Sequence, residues 1–185
     1  RNINLSFLHG VVFRKALILD NGILFREDFS RGEDSLFIKQ CILHINRSIQ
    51  CSSQIMYHYV TRIRFALSTQ YCNNIEDVYS QIYESLTALS IRFQGYELTQ
   101  TKEKMVSIMS IQNLYSNGCT LDKKERIEKI SNLMANPKIK HDIVYSQTNG
   151  IFDNIRRLIF FIGSPNLMDF VYSVAKRVRD IYRKI

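Results

Sequence analysis

From residue 74 to the end of the chain, apolar side chains recur at intervals of three and four, and no long stretch alternates apolar with polar. That period builds helices and cannot present one face of a sheet. Ile75, Val78, Ile82, Leu86 and Leu89 predict one helix, and residues 99–115 a second, with Asn117-Gly118 as its C-cap. Thr120 is expected to cap a third, which passes through Ile127, Ile130 and Leu133 and stops at Asn136-Pro137. A shorter helix over 138–145 follows, then one over 152–162 closed by Gly163-Ser164-Pro165, and a last one from Asn166 onward.

Before Cys72 the texture differs. Residues 11–19 predict a short helix, and Asp20-Asn21-Gly22 marks a turn. Ile23-Leu24-Phe25 reads as a brief extended piece and Ser30-Arg31-Gly32 as a second turn. Helical spacing returns from Glu33, through Leu36, Phe37, Cys41 and Ile45. Residues 49–52 and 54–61 read as strands, the second alternating Tyr57 and Tyr59 with Met56, His58 and Val60. The expected fold class is therefore mixed α/β and mostly α, with an α/β portion over 1–72 and an α-helical subdomain over 73–185.

Composition removes several classes. The 185 residues, 45% of them apolar, are ordinary globular usage and enough for a core without staples. The longest clean apolar run, Leu158 to Ile162, is far short of the roughly 20 residues of a spanning helix. Cys41, Cys51, Cys72 and Cys119 form no Cys-x-x-Cys and stand at no zinc spacing from a histidine, which reads as reduced thiols and no metal site in this chain. The net charge of +8 is uneven: residues 1–70 carry nine basic and five acidic side chains, 71–150 nine of each, and 151–185 seven and three. With no zinc finger, RNP-like strand or long Lys/Arg run, that distribution argues against nucleic acid. It suits a phosphate-bearing ligand near the first block and an anionic surface near the last, or else a solvated basic surface.

The informative stretch lies between Phe13 and Ser68. It reads Phe13-Arg14-Lys15-Ala16-Leu17-Ile18, then Gly22-Ile23-Leu24-Phe25-Arg26-Glu27-Asp28, then Gly32-Glu33-Asp34-Ser35-Leu36-Phe37, and later Tyr57-His58-Tyr59, Arg62-Ile63-Arg64 and Ser68. In that order the motifs resemble the second half of a family-2 glycosyltransferase with the GT-A fold, of the bacterial surface- or capsular-polysaccharide type. The resemblance covers residues 7–70. It implies inverting transfer from a nucleotide-diphosphate sugar to a saccharide or lipid-linked acceptor. Asp34 would be the base that takes the acceptor hydroxyl proton, and Glu33 would hold the acceptor or its surroundings. The resemblance gives Arg62, Arg64 and Ser68 to the donor diphosphate, where cationic donors meet the leaving group. Tyr57, His58 and Tyr59 are candidate sugar, acceptor or metal contacts, with core packing as the alternative for the tyrosines.

A complete enzyme of that family also carries a nucleotide-binding half and an Asp-x-Asp motif that holds Mg²⁺ or Mn²⁺. Neither occurs in this chain. The expectation is that the missing half lies upstream of Arg1 and that residues 1–185 alone are inactive. In the last helix, Leu167, Phe170, Val174, Val178 and Ile181 fall on one face, with Lys176, Arg177, Arg179 and Arg183 outside it. Such a basic amphipathic helix suits an anionic membrane surface, with Phe170 and these cations as contacts, although packing on the protein is the ordinary use of such a face. The expected location is the cytoplasm, peripheral on the inner face of the plasma membrane. The other reading of the chain is a helical interaction or membrane-docking module without catalysis.

Overall fold

The computed structural model describes residues 11–46, 48–50, 69–94, 98, 100–146 and 150–182, and among them eight helices and no strand. They are α1 (Lys15–Asp20), α2 (Glu33–Leu43), α3 (Ile75–Arg92), α4 (Lys102–Asn113), α5 (Lys123–Ala135), α6 (Pro137–Tyr145), α7 (Ile151–Ile162) and α8 (Pro165–Tyr182). The mostly helical expectation holds.

Caps set most of the boundaries. Thr101 accepts from the Lys104 amide and starts α4. Asp122, not Thr120, starts α5: its side chain accepts from the Glu125 amide while the Glu125 carboxylate accepts from the Asp122 amide. That reciprocal pair satisfies two free amides at once, which Thr120 could not do. Asn136 both ends α5 and caps α6, with Pro137 at the first helical position, where its missing N–H costs nothing. Asn117-Gly118 is not the cap of α4, which ends at Asn113. Instead Asn117 accepts from the Tyr71 amide at 2.7 Å and donates its own to the Thr69 carbonyl at 2.8 Å. This gives the isolated parallel bridge between Gln70 and Asn117.

Ile23-Leu24-Phe25 pairs with no strand among the described residues, and Ile49 and Gln50 have no regular structure. The remainder of the expected strands, residues 51–52 and 54–61, lies outside the described residues.

The chain forms two compact units. One joins Arg1–Arg62 with Asp77–Leu98, and the other joins Ile63–Glu76 with Thr99–Ile185. In the first, Ile23, Phe37 and Cys41 pack with Phe13, Leu17 and Ile18. Phe25 stacks on Phe37 at 4.1 Å, while Phe13 meets it edge-on at 5.6 Å. Two arginines bring α3 into this unit: Arg26 donates to Gln81 at 2.7 Å, and Arg92 to the Ile45 carbonyl at 2.9 Å. In the second unit α4–α8 surround a core in which Ile111, Ile130, Phe160 and Met168 are wholly buried.

Candidate functional site

Gly32, Glu33 and Asp34 stand where the last turn before α2 becomes helix. Gly32 has φ +82°, a left-handed conformation that a side chain resists. A Cβ there would also lie 3.0 Å from Val78 Cγ1 and 3.1 Å from Ile82 Cδ1. Conformation and crowding both call for glycine, and the close approach to α3 fixes the start of α2. The Gly32 carbonyl takes the first helical bond, from the Leu36 amide at 3.1 Å.

Glu33 and Asp34 therefore occupy the first turn, where unpaired amides and the helix dipole favour negative charge. Asp34 Oδ1 accepts from the Ser35 amide at 2.7 Å. Glu33 Oε2 is shielded from water and has no hydrogen-bond partner among the described residues. One turn further on, Lys39 is buried, and its ammonium donates to Ser35 Oγ at 2.5 Å and to the Ser35 carbonyl at 3.3 Å. Burial pushes the Lys39 ammonium below the ordinary lysine range, and the negative charge of Asp34 pushes the other way. The structure thus places a buried ammonium, which the sequence pattern does not single out, within the influence of the half-buried Asp34.

Among the described residues no three His, Cys, Asp or Glu side chains converge as metal ligands. Tyr57, His58, Tyr59, Arg62, Arg64 and Ser68 lie outside the described residues, as does Arg183. Cys41 and Cys72 are buried, and burial raises the Cys41 thiol; Cys51 is outside the described residues.

In α8, Phe170, Val174, Val178 and Ile181 share one face, as the helical spacing predicts, and that face is exposed rather than packed on the protein. Arg177 is exposed and Lys176 half-buried. Arg179 is placed differently from the expected membrane contact: its guanidinium donates to the Tyr115 carbonyl near the end of α4, at 3.0 Å.

A second group of charges has no counterpart in the sequence reading. Asp169, nearly fully buried in α8, accepts from the Tyr115 hydroxyl at 2.7 Å and from Arg126 Nε at 3.0 Å. Tyr115 stacks on Tyr172 at 5.3 Å, and the Tyr172 hydroxyl accepts from Arg156 Nε at 2.9 Å. Arg156 and Lys104, both buried, share Asp153 at 2.6 and 3.5 Å. Burial, with the Asp169 carboxylate second, raises the Tyr115 phenol well above its usual value. The Tyr115 ring packs in the core, and its hydroxyl is committed to Asp169. Helical spacing carries a signal for this group of charges: Asp153 stands seven residues before the core residue Phe160 in α7, and Asp169 three before the core residue Tyr172 in α8.

No protein-family model, no curated protein and no solved structure matches this chain.

Proposed function

We propose that this chain carries the acceptor-side catalytic segment of an inverting glycosyltransferase, with Asp34 as the base and a nucleotide-diphosphate sugar as donor. The observation that supports the reading is the turn at Gly32. The motif order points to Asp34, and the left-handed glycine packed against Val78 and Ile82 presents Glu33 and Asp34 together from one helix start. A base must reach the acceptor hydroxyl at hydrogen-bond distance from a fixed position, and a carboxylate in a first helical turn is held in that way. Asp34 would take the hydroxyl proton as that oxygen attacks the anomeric carbon and the bond from that carbon to the nucleoside diphosphate breaks, the diphosphate leaving with the electron pair, while Glu33 would help hold the acceptor.

The test is transfer of labelled sugar from a panel of nucleotide-diphosphate sugars to saccharide and lipid-linked acceptors, by the full gene product and its Asp34→Asn variant. Loss of the base is expected to lower kcat by about 10²–10⁴-fold with donor affinity nearly unchanged. Transfer that survives Asp34→Asn at the wild-type rate refutes the assignment.

A further inference from the structure

The two last described helices expose a surface that the core does not use. Gly163, left-handed at φ +74°, closes α7, and Ser164 Oγ accepts from the Leu167 amide as α8 begins. Phe152 meets the Tyr172 ring at 5.5 Å, and Arg156 donates to the Tyr172 hydroxyl. Residues placed almost symmetrically about the turn thus touch, so α7 and α8 form an antiparallel hairpin.

Each helix has an inner and an outer apolar side. Ile159 and Phe160 of α7 and Met168 and Tyr172 of α8 are buried in the core. On the outer side of α7, Ile151, Ile155, Leu158 and Ile162 recur at intervals of four, three and four and are exposed. On α8, Leu167, Phe170, Val174, Val178 and Ile181 do the same at intervals of three, four, four and three. None of them is rare by itself, but two adjoining helices each exposing a full stripe make a patch that needs an explanation.

The charges say what kind. Of the three carboxylates on this hairpin, Asp153 is turned inward to Lys104 and Arg156, and Asp169 to Tyr115 and Arg126. The third, Asp180, lies beside Arg179 at 3.8 Å. Arg157 and Arg177 are exposed. By helical register Arg157 precedes Phe161 by one turn, and Arg177 sits between Val174 and Ile181, so both border the stripes. The outer face is therefore apolar with a cationic margin. A second copy of the same face would bring Arg157 and Arg177 against like charges, with two of the hairpin's three carboxylates turned inward and the third beside Arg179, whereas an anionic bilayer complements both features.

We propose that the α7–α8 hairpin docks flat on an anionic membrane surface, its apolar stripes at the acyl boundary and Arg157 and Arg177 among the headgroups. The last helix alone already suggests such a surface; the structure adds α7 as its other half and turns two of the hairpin's three carboxylates inward. No described helix is long and apolar enough to cross a membrane, which fits a helix pair that lies in the interface. The inference does not rest on the glycosyltransferase reading.

Sedimentation of the full chain with phosphatidylglycerol-containing vesicles and with pure phosphatidylcholine vesicles tests it. Binding is expected on the former, weakening with salt. Leu158→Ser with Phe170→Ser should abolish it, and Arg157→Gln or Arg177→Gln should each weaken it roughly fivefold, the effect of one basic residue near the surface. A second readout does not depend on how well those variants fold. The chain contains no tryptophan, so Val174→Trp reports on the outer face and Lys124→Trp on α5. The first should shift to the blue on phosphatidylglycerol vesicles and the second should not. Pelleting that ignores lipid charge, or equal shifts at both positions, overturns the proposal. So does a chain that ignores vesicles and instead self-associates through Leu158 and Phe170 in analytical ultracentrifugation.

Discussion

Gly32→Ala tests whether the start of α2 is set by conformation alone or also by contact with α3. A left-handed φ costs an L-residue about 1–2 kcal/mol. Gly22 supplies the control: it too is left-handed, at φ +60°, but a Cβ there meets nothing within 4 Å. Gly22→Ala should therefore lose only the conformational amount. At Gly32 the added methyl would sit 3.0 Å from Val78 Cγ1 and 3.1 Å from Ile82 Cδ1, closer than ordinary packing, and both residues are buried. Overpacking of this kind costs a further 1–3 kcal/mol or so, for a total of about 2–5 kcal/mol. Urea unfolding followed by circular dichroism measures both variants. The decisive comparison is Ile82→Val, which removes the Cδ1 methyl. In the wild type it should cost about 0.5–1.5 kcal/mol by leaving a small cavity. In the Gly32→Ala background it should cost little or become stabilising, because the space it opens relieves the clash. Equal losses for Gly22→Ala and Gly32→Ala, or additive effects of Gly32→Ala and Ile82→Val, would refute the argument that α3 fixes this turn.

Two further predictions concern the buried charges. Asp169→Asn should destabilise the chain by about 3 kcal/mol, the lower end for breaking a buried ion pair, because the Arg126 side chain keeps 21% exposure and can be partly rehydrated; Asp180→Asn, at the half-exposed pair with Arg179, should stay within about 0.5 kcal/mol in the same denaturant titration. Lys39 is held below its ordinary pKa by burial, so in the window between its folded value and the unfolded value of about 10.4 the unfolded chain binds more protons, and stability rises with pH across it and is lost as pH falls through the folded value. Lys39→Met should flatten that rise in urea midpoints measured from neutral to alkaline pH, and an unchanged slope would count against the burial argument.

Periodicity made α2 and the helices after Cys72 legible, because a helix packed on a core must repeat its apolar residues near 3.6. Their ends were less so. Thr120 and Asp122 are both good capping residues, and the choice fell to the one with a glutamate three positions later. Asn117-Gly118 is a sound turn signal, yet the bond it serves is to Thr69 and Tyr71, far away in sequence, which no local pattern encodes. Around the candidate site the order of motifs singled out Gly32, Glu33 and Asp34. Lys39 escaped notice because a lysine in an amphipathic helix is normally solvated, and its burial depends on its position in the fold and on the Ser35 partners.

The acidic residues of the hairpin show why the last part of the chain was only half legible. Read as polar, Asp153 and Asp169 belong outside. Read by register, each lies on the core side, which is tolerable only if cations from other helices meet it; Lys104, Arg156 and Arg126 do so. Those cations are a cost to a core and could have been replaced, together with their partners, by apolar side chains of similar volume without losing stability. What the replacement would not alter is the outer face. What moving the aspartates outward would alter is its sign: with Asp153 and Asp169 facing solvent, Arg157 and Arg177 would be offset by two carboxylates and the attraction to anionic lipid would be lost. The inward placement of both acids and the apolar stripes on the other side are thus two aspects of one sequence pattern, in which the inner register carries Asp153 and Asp169 with their cations and the outer register carries the apolar stripes.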